Sequence, residues 1–137
     1  MIKLVINGKP VPAGRPRFAH GHAYDPKTSR DYKKYIKQCA RPQITQTPYA
    51  NVPLKFCLDV YRPIQKSISK KEHMLRATNQ ERPIKKPDIS NYLKLAEDAL
   101  TGLAYVDDNL ITTVVARKFY GETPRIEITI KEDETNG

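Results

Sequence analysis

Cysteine is scarce in this sequence, and the two that occur, Cys39 and Cys57, are isolated, with no C-x-x-C spacing. That argues against a disulfide framework and a thiolate zinc site, and both read as reduced core residues. Long hydrophobic runs are also missing, which excludes a membrane-spanning helix. No Lys/Arg-rich amphipathic helix with bulky apolar residues opposite is present, so a membrane surface is a poor partner. The N-terminus, MIKLVINGK, is too short and polar to serve as a signal peptide, and the expected location is the cytoplasm. Gly8-Lys9 lacks the upstream glycine and the following Ser/Thr of a P-loop. There are no internal repeats and no low-complexity tracts.

Acidic residues are outnumbered, 15 against 24 lysines and arginines, for a net charge of +9. The last seven residues, KEDETNG, hold one lysine and three acids, so the remainder carries 23 basic against 12 acidic side chains. A basic body with a short acidic tail suits a polyanion, and nucleic acid is the favoured class. At 39% hydrophobic residues the chain is globular, and its length fits one domain. Residues 1–131 read as that domain and 132–137 as a disordered acidic tail.

Residues 2–6 predict a strand ended by Asn7-Gly8. KPVPAGRPRF follows, too rich in proline for a helix. There Arg15 and Arg17 flank Pro16 on a stiff segment that either presents guanidinium groups to phosphates or forms a solvated loop. Residues 18–24 suggest a hairpin containing His20 and His22, which read as solvated or phosphate-contacting. Ser29 or Thr28 is expected to cap a helix over residues 30–40, with Tyr32, Tyr35, Ile36 and Cys39 inward and Lys33, Lys34 and Lys37 outward. Residues 54–61 alternate as a half-buried strand. Ser69 and Glu72 fit a capping box for a short helix to Ala77. TNQERPIKKP then reads as a mobile arm carrying Arg82, Lys85 and Lys86. Strands over 110–120 and 125–131 complete an α+β fold, a single layered domain with a mixed β-sheet packed against helices.

The chemistry concentrates in KKPDISNYLKLAEDALTGLAYVDDNLI, residues 85–111. Pro87 disfavours helical geometry before it, so a helix is expected to open at Asp88, a good N-cap type. Ile89, Tyr92, Leu93, Leu95, Ala96, Ala99 and Leu100 share an apolar arc, opposite Ser90, Asn91, Lys94, Glu97 and Asp98. Gly102 is expected as the C-cap. Asp107 and Asp108 then stand at the mouth of a β-branched run. Two readings are open. In one, Asp88 is a cap and the aspartate pair an ordinary turn. In the other, carboxylates from two elements converge on a hard divalent cation, which takes oxygen ligands. Such an ion generates hydroxide and neutralises a scissile phosphate, and Lys94 could stabilise the developing charge.

Three stretches together resemble the RusA family of Holliday-junction resolvases: NGKPVPAGRPRF, YDPKTSRDY and the 85–111 segment. The last looks like that family's K-P-D-x-D-N-x-x-K, D-A-L-x-G and D-D signature. The resemblance implies a RusA-like fold, a homodimer and a Mg²⁺-dependent endonuclease, with Mn²⁺ as a substitute, that nicks four-way or branched DNA symmetrically in recombination and repair. Such proteins are bacterial and often carried by prophages. It further implies that Asp88, Lys94 and Asp108 are catalytic and that Asp88, Asp107 and Asp108 bind metal, while Asp98 supports the site. Arg15, Arg17, Arg82, Lys85 and Lys86 are the expected phosphate contacts. One departure stands out: the family pattern has a second aspartate where this chain has Ser90. A hydroxyl removes one negative charge, so either Asn91 or water completes the metal shell, or the protein binds branched nucleic acid with reduced cleavage or none.

Overall fold

The computed structural model of the protein describes residues 1–134. Its main sheet has four strands in the order β1-β6-β4-β5. β1 (Ile2–Asn7) and β4 (Leu54–Pro63) each pair antiparallel with β6 (Arg125–Glu132), while β5 (Ile111–Gly121) pairs parallel with β4. A separate hairpin joins β2 (Arg17–Ala19) to β3 (His22–Tyr24) through His20 and Gly21, both at positive φ. Three helices complete the domain: α1 (Lys27–Ala40), α2 (Lys70–Ala77) and α3 (Ile89–Leu100). The observed architecture is the expected α+β mixed sheet with helices. Among the described residues no helix is long and apolar enough to cross a membrane.

Strand alternation produces the layering. Ile2, Leu4 and Ile6 of β1, Phe56, Leu58 and Val60 of β4, and Ile126, Ile128 and Ile130 of β6 are buried. They meet Tyr32, Ile36 and Ala40 of α1 and Tyr92, Leu95, Ala96, Ala99 and Leu100 of α3 in one core. Each large aliphatic or aromatic side chain among them contributes roughly 1.5–3 kcal/mol on burial. The opposite sheet face is only half-buried. There Tyr61 stacks on Phe119 at 5.2 Å, with Arg125 over Tyr61, Arg82 and Arg117 over Phe119, and Arg117 paired bidentately with Asp59.

Several local expectations change. α1 begins at Lys27 behind Pro26, with no side-chain cap. Ser29 is buried inside its first turn, where Oγ accepts the Gly14 N–H at 2.8 Å. Pro26 takes the N-cap position itself, and the Ser29 hydroxyl was left to fasten a loop. The Ser69 cap on α2 is present, accepting the Glu72 N–H at 3.1 Å. α3 ends on Thr101, and Gly102, at φ +86°, turns the chain one residue later. The segment read as a mobile arm is tied down. Arg82 donates to the Lys118 carbonyl, Lys118 Nζ to the carbonyls of Lys85 and Pro87, and Arg62 to that of Lys86. Basic side chains of β4, β5 and the segment itself found carbonyl partners that local sequence does not reveal.

At the C-terminus β6 extends to Glu132, and the Asp133 carboxylate accepts from Thr112 and Thr113. The expected tail also includes residues 135–137, which lie outside the described residues. At the other margin of the sheet, the Gln43 side chain accepts the Val5 N–H and donates to the Val5 carbonyl, both at 2.9 Å.

Tyr105 closes the core under the loop after α3. It is fully buried, its ring lies edge-on to Phe56, and its hydroxyl donates to the Glu97 carbonyl at 2.6 Å. We expect Tyr105→Phe to cost about 1 kcal/mol and Tyr105→Ala about 3–5 kcal/mol in urea unfolding. Equal costs would mean that the hydroxyl, not the ring, holds this loop.

Candidate active site

Two clusters of polar side chains stand on α3, one at each end. At its N-terminal end Asp88 occupies the cap position with extended backbone geometry, yet its carboxylate makes no capping hydrogen bond. The helix opening is secured without it, because the Asp88 carbonyl accepts the Asn91 N–H. Asp88 is exposed and lines a hollow with Arg15, Lys86, Pro87 and Asn91. The loop bearing Arg15 is held there by two bonds: Ala13 N–H to the Asn91 carbonyl at 3.0 Å, and Gly14 N–H to Ser29. An unspent carboxylate flanked by cations at a helix start is a chemically different object from a helix cap.

The other end is acidic. Asp107 caps a 3₁₀ turn over Asp108–Leu110 by accepting the Asn109 N–H at 2.8 Å. Partial loss of water raises the Asp108 pKa, reinforced by the adjacent Asp107 carboxyl and the charge of Asp98. Glu97 is raised for the same reasons, by burial first and then by the charges of Asp108 and Asp98. Carboxylates that disfavour one another in this way favour any cation that joins them. Sequence reasoning placed Glu97 on the polar side of the helix but gave it no role; its nearness to Asp108 comes from the loop folding back over the last turn.

Asp98 has a further partner. Lys33 Nζ lies 2.7 Å from Asp25 and 3.5 Å from Asp98, bridging α1, the segment before it and α3. The hydrogen bond from Lys33 chiefly lowers the Asp25 pKa, with smaller help from Lys94 and Arg30. Lys33, expected on the outward face of α1, is therefore a brace between elements. Lys94 is exposed midway along α3 and acts on Asp25.

The sequence suggested that Asp88, Asp107 and Asp108 share one ion, and a single chain does not assemble them. At 1.5 Å per residue α3 sets Asp98 about 15 Å along the axis from Asp88. Asp108 belongs with Asp98 and Glu97. β5 is a second ruler: Lys118 touches the chain at Pro87, whereas Ile111 follows the Asp108 turn, about 23 Å away at strand rise. Among the described residues no three His, Cys, Asp or Glu side chains stand close enough to hold a metal ion. Nearness in sequence misled because a rigid helix lies between the two sites. The donors themselves are oxygen only, which suits a hard ion such as Mg²⁺ or Mn²⁺.

Of the remaining expected residues, Ser90 is exposed in the first turn of α3, and Asn91 faces the Asp88 hollow. Arg17 is exposed on β2, opposite Tyr24. Lys85 and Lys86 are exposed on the pinned segment. Arg82 spends its Nε on Lys118 and its face on Phe119, so it braces that segment.

The family described as endodeoxyribonuclease RusA matches residues 7–131. A Bacillus subtilis (strain 168) protein described as uncharacterized protein YqaN is 38% identical over 137 residues, covering 96% of each chain.

The acid cluster gives a pH prediction. Glu97 and Asp108 have raised folded-state pKa values, so they bind protons more tightly folded than unfolded. Their stabilising contribution is present below the ordinary carboxyl range and is lost as pH rises through the folded values. Without divalent metal, Asp108→Asn should raise Tm at pH 7 by about 1–2 °C, and the gain should vanish near pH 4. A variant less stable than the parent at pH 7 would show that Asp108 is a structural carboxylate.

Proposed function

The chain belongs to the RusA endodeoxyribonuclease family, and from that premise we propose that it is a Mg²⁺-dependent endonuclease that resolves four-way DNA junctions by paired symmetric nicks in recombination and repair. The family is one of metal-dependent nucleases acting on junction DNA. The observation that carries the reading is Asp88, a carboxylate at a helix start that caps nothing and faces Arg15, Lys86 and Asn91.

In this reading Asp88 and Asn91, with Asp107 and Asp108, would hold the ion, and Ser90 would offer a hydroxyl in place of a carboxylate. The bound ion would supply hydroxide and neutralise charge on the scissile phosphate. Lys94 stabilises the charge that develops there. Arg15, Arg17, Lys85 and Lys86 hold neighbouring phosphates, giving affinity that falls steeply with salt.

The separation of Asp88 from Asp108 makes the homodimer part of the mechanism. A two-fold partner whose α3 runs antiparallel brings its own Asp108 end to the first chain's Asp88 end, and symmetry repeats the arrangement at the other end. Two sites about one helix length apart then address two opposed strands of a junction. A second reading, a binder of branched nucleic acid without cleavage, is favoured only by Ser90, whose neutral side chain weakens the ligand set.

A synthetic four-way junction, incubated with and without Mg²⁺ or Mn²⁺, separates the two. We expect nicking with either metal and none in EDTA; binding with no nicking in any condition would leave the second reading. Asp88→Asn should lose nicking by 100-fold or more (order of magnitude) while still binding the junction. Mixing Asp88→Asn with Asp108→Asn protein tests the shared site. In a mixed dimer one composite site is wild type throughout, so activity should partly return, whereas a site within one chain gives none.

A further inference from the structure

Beside the Asp88 hollow lies a second one, of about 320 Å³, whose lining includes Lys9, Arg62, Arg76, Lys85, Lys86 and Tyr120, and no carboxylate among the described residues. Lys86 is common to both hollows. Like charges gathered in one depression repel, and a protein of net charge +9 gains nothing from gathering them unless an anion takes the space.

Local structure holds these cations in place. Lys118 and Arg62 fix three successive carbonyls, those of Lys85, Lys86 and Pro87, so the backbone carrying the two lysines is set before any ligand arrives. Arg76 is mostly buried. Its guanidinium lies 4.4 Å over the Tyr120 ring and 3.4 Å from Glu81, at the long limit of a hydrogen bond. Its Nε is buried with no hydrogen-bond partner among the described residues. A buried arginine donor without an acceptor is uncommon, because leaving it so costs the full desolvation of the group. The Nε is enclosed by protein, so it is the outer guanidinium N–H groups of Arg76, on a residue lining the hollow, that suit a phosphate oxygen.

We propose that this hollow seats one backbone phosphodiester of the DNA strand, next to the phosphate presented at Asp88, with Lys9, Arg62 and Arg76 as positioning residues for the cleavage. The inference rests on the DNA reading above and adds a defined subsite to it. Lys86, shared by both hollows, spans the step from one phosphate to the next. Because the three side chains serve a single phosphate, their contributions to salt dependence are not independent.

Junction and duplex binding by the full-length protein, followed by fluorescence anisotropy in EDTA from 50 to 300 mM KCl, tests this. Arg62→Gln and Arg76→Gln should each weaken binding several-fold, alike for junction and duplex. Each should lower the slope of log K against log salt by up to about one, and the double variant by about one in total. Slopes that add to about two would mean separate contacts on a generally basic surface, and unchanged slopes would mean no contact; either overturns the seat while leaving the nuclease reading intact. Absence of DNA binding by the parent protein would instead remove the reading on which the seat depends. Thermal melting in inorganic phosphate, against chloride at equal ionic strength, covers the other source of the anion. Phosphate stabilisation lost in the variants, with DNA slopes unchanged, would make this a free-anion site and overturn the strand assignment. Arg76 packs on Tyr120, so if its variant fails to fold, Lys9→Gln combined with Arg62→Gln carries the same slope test.

Discussion

The burial of one helical stripe governs the arrangement of this protein. Tyr92, Leu95, Ala96, Ala99 and Leu100 lie in the core along nearly the whole of α3. Sliding or unwinding the helix would return each large side chain to water at roughly 1.5–3 kcal/mol. The helix is therefore a fixed spacer. It holds the free carboxylate of Asp88 among cations at one end and crowds Glu97, Asp98 and Asp108 together at the other. The chemistry open to the molecule is set by that separation.

Much of the fold was legible because it depends on short-range periodicity. β1, β4 and β6 alternate apolar and polar residues, and their alternate side chains are buried. The apolar arc of α3 and the Ser69 cap were equally plain. What was hidden depends on contacts between elements. Ser29 has the composition of a cap but serves Gly14; Lys33 looks like a surface lysine but joins Asp25 to Asp98. TNQERPIKKP has the composition of a mobile segment, yet Arg62 and Lys118, distant in sequence, supply its restraints. The site residues were recognisable as a motif, while their division between the two ends of a rod was not, since a motif records order and not distance.

The electrostatics follow the same division. Positive charge is gathered around residues 9–17, 62, 76 and 85–86, with Asp88 as the carboxylate lining the adjoining hollow. Negative charge is gathered beyond the last turn of α3, where it raises the proton affinity of its own members. Lys33 takes up part of that charge through Asp98, and it does so from α1, so the packing of the two helices and the charge state of the acidic end are linked. Such a surface is complementary to a phosphate chain along one region and to a divalent cation at another.

The Gln43 amide has a consequence for how chains of this kind can meet. It occupies both hydrogen-bonding groups of Val5 on the outer rail of β1, while Arg82 takes the Lys118 carbonyl on β5, the strand at the opposite margin. These contacts occupy the peptide groups of Val5 on one rail and the Lys118 carbonyl on the other, so strand addition is hindered at those two positions. Pairing of another strand on either margin would have to displace the Gln43 amide or the Arg82 guanidinium at these points.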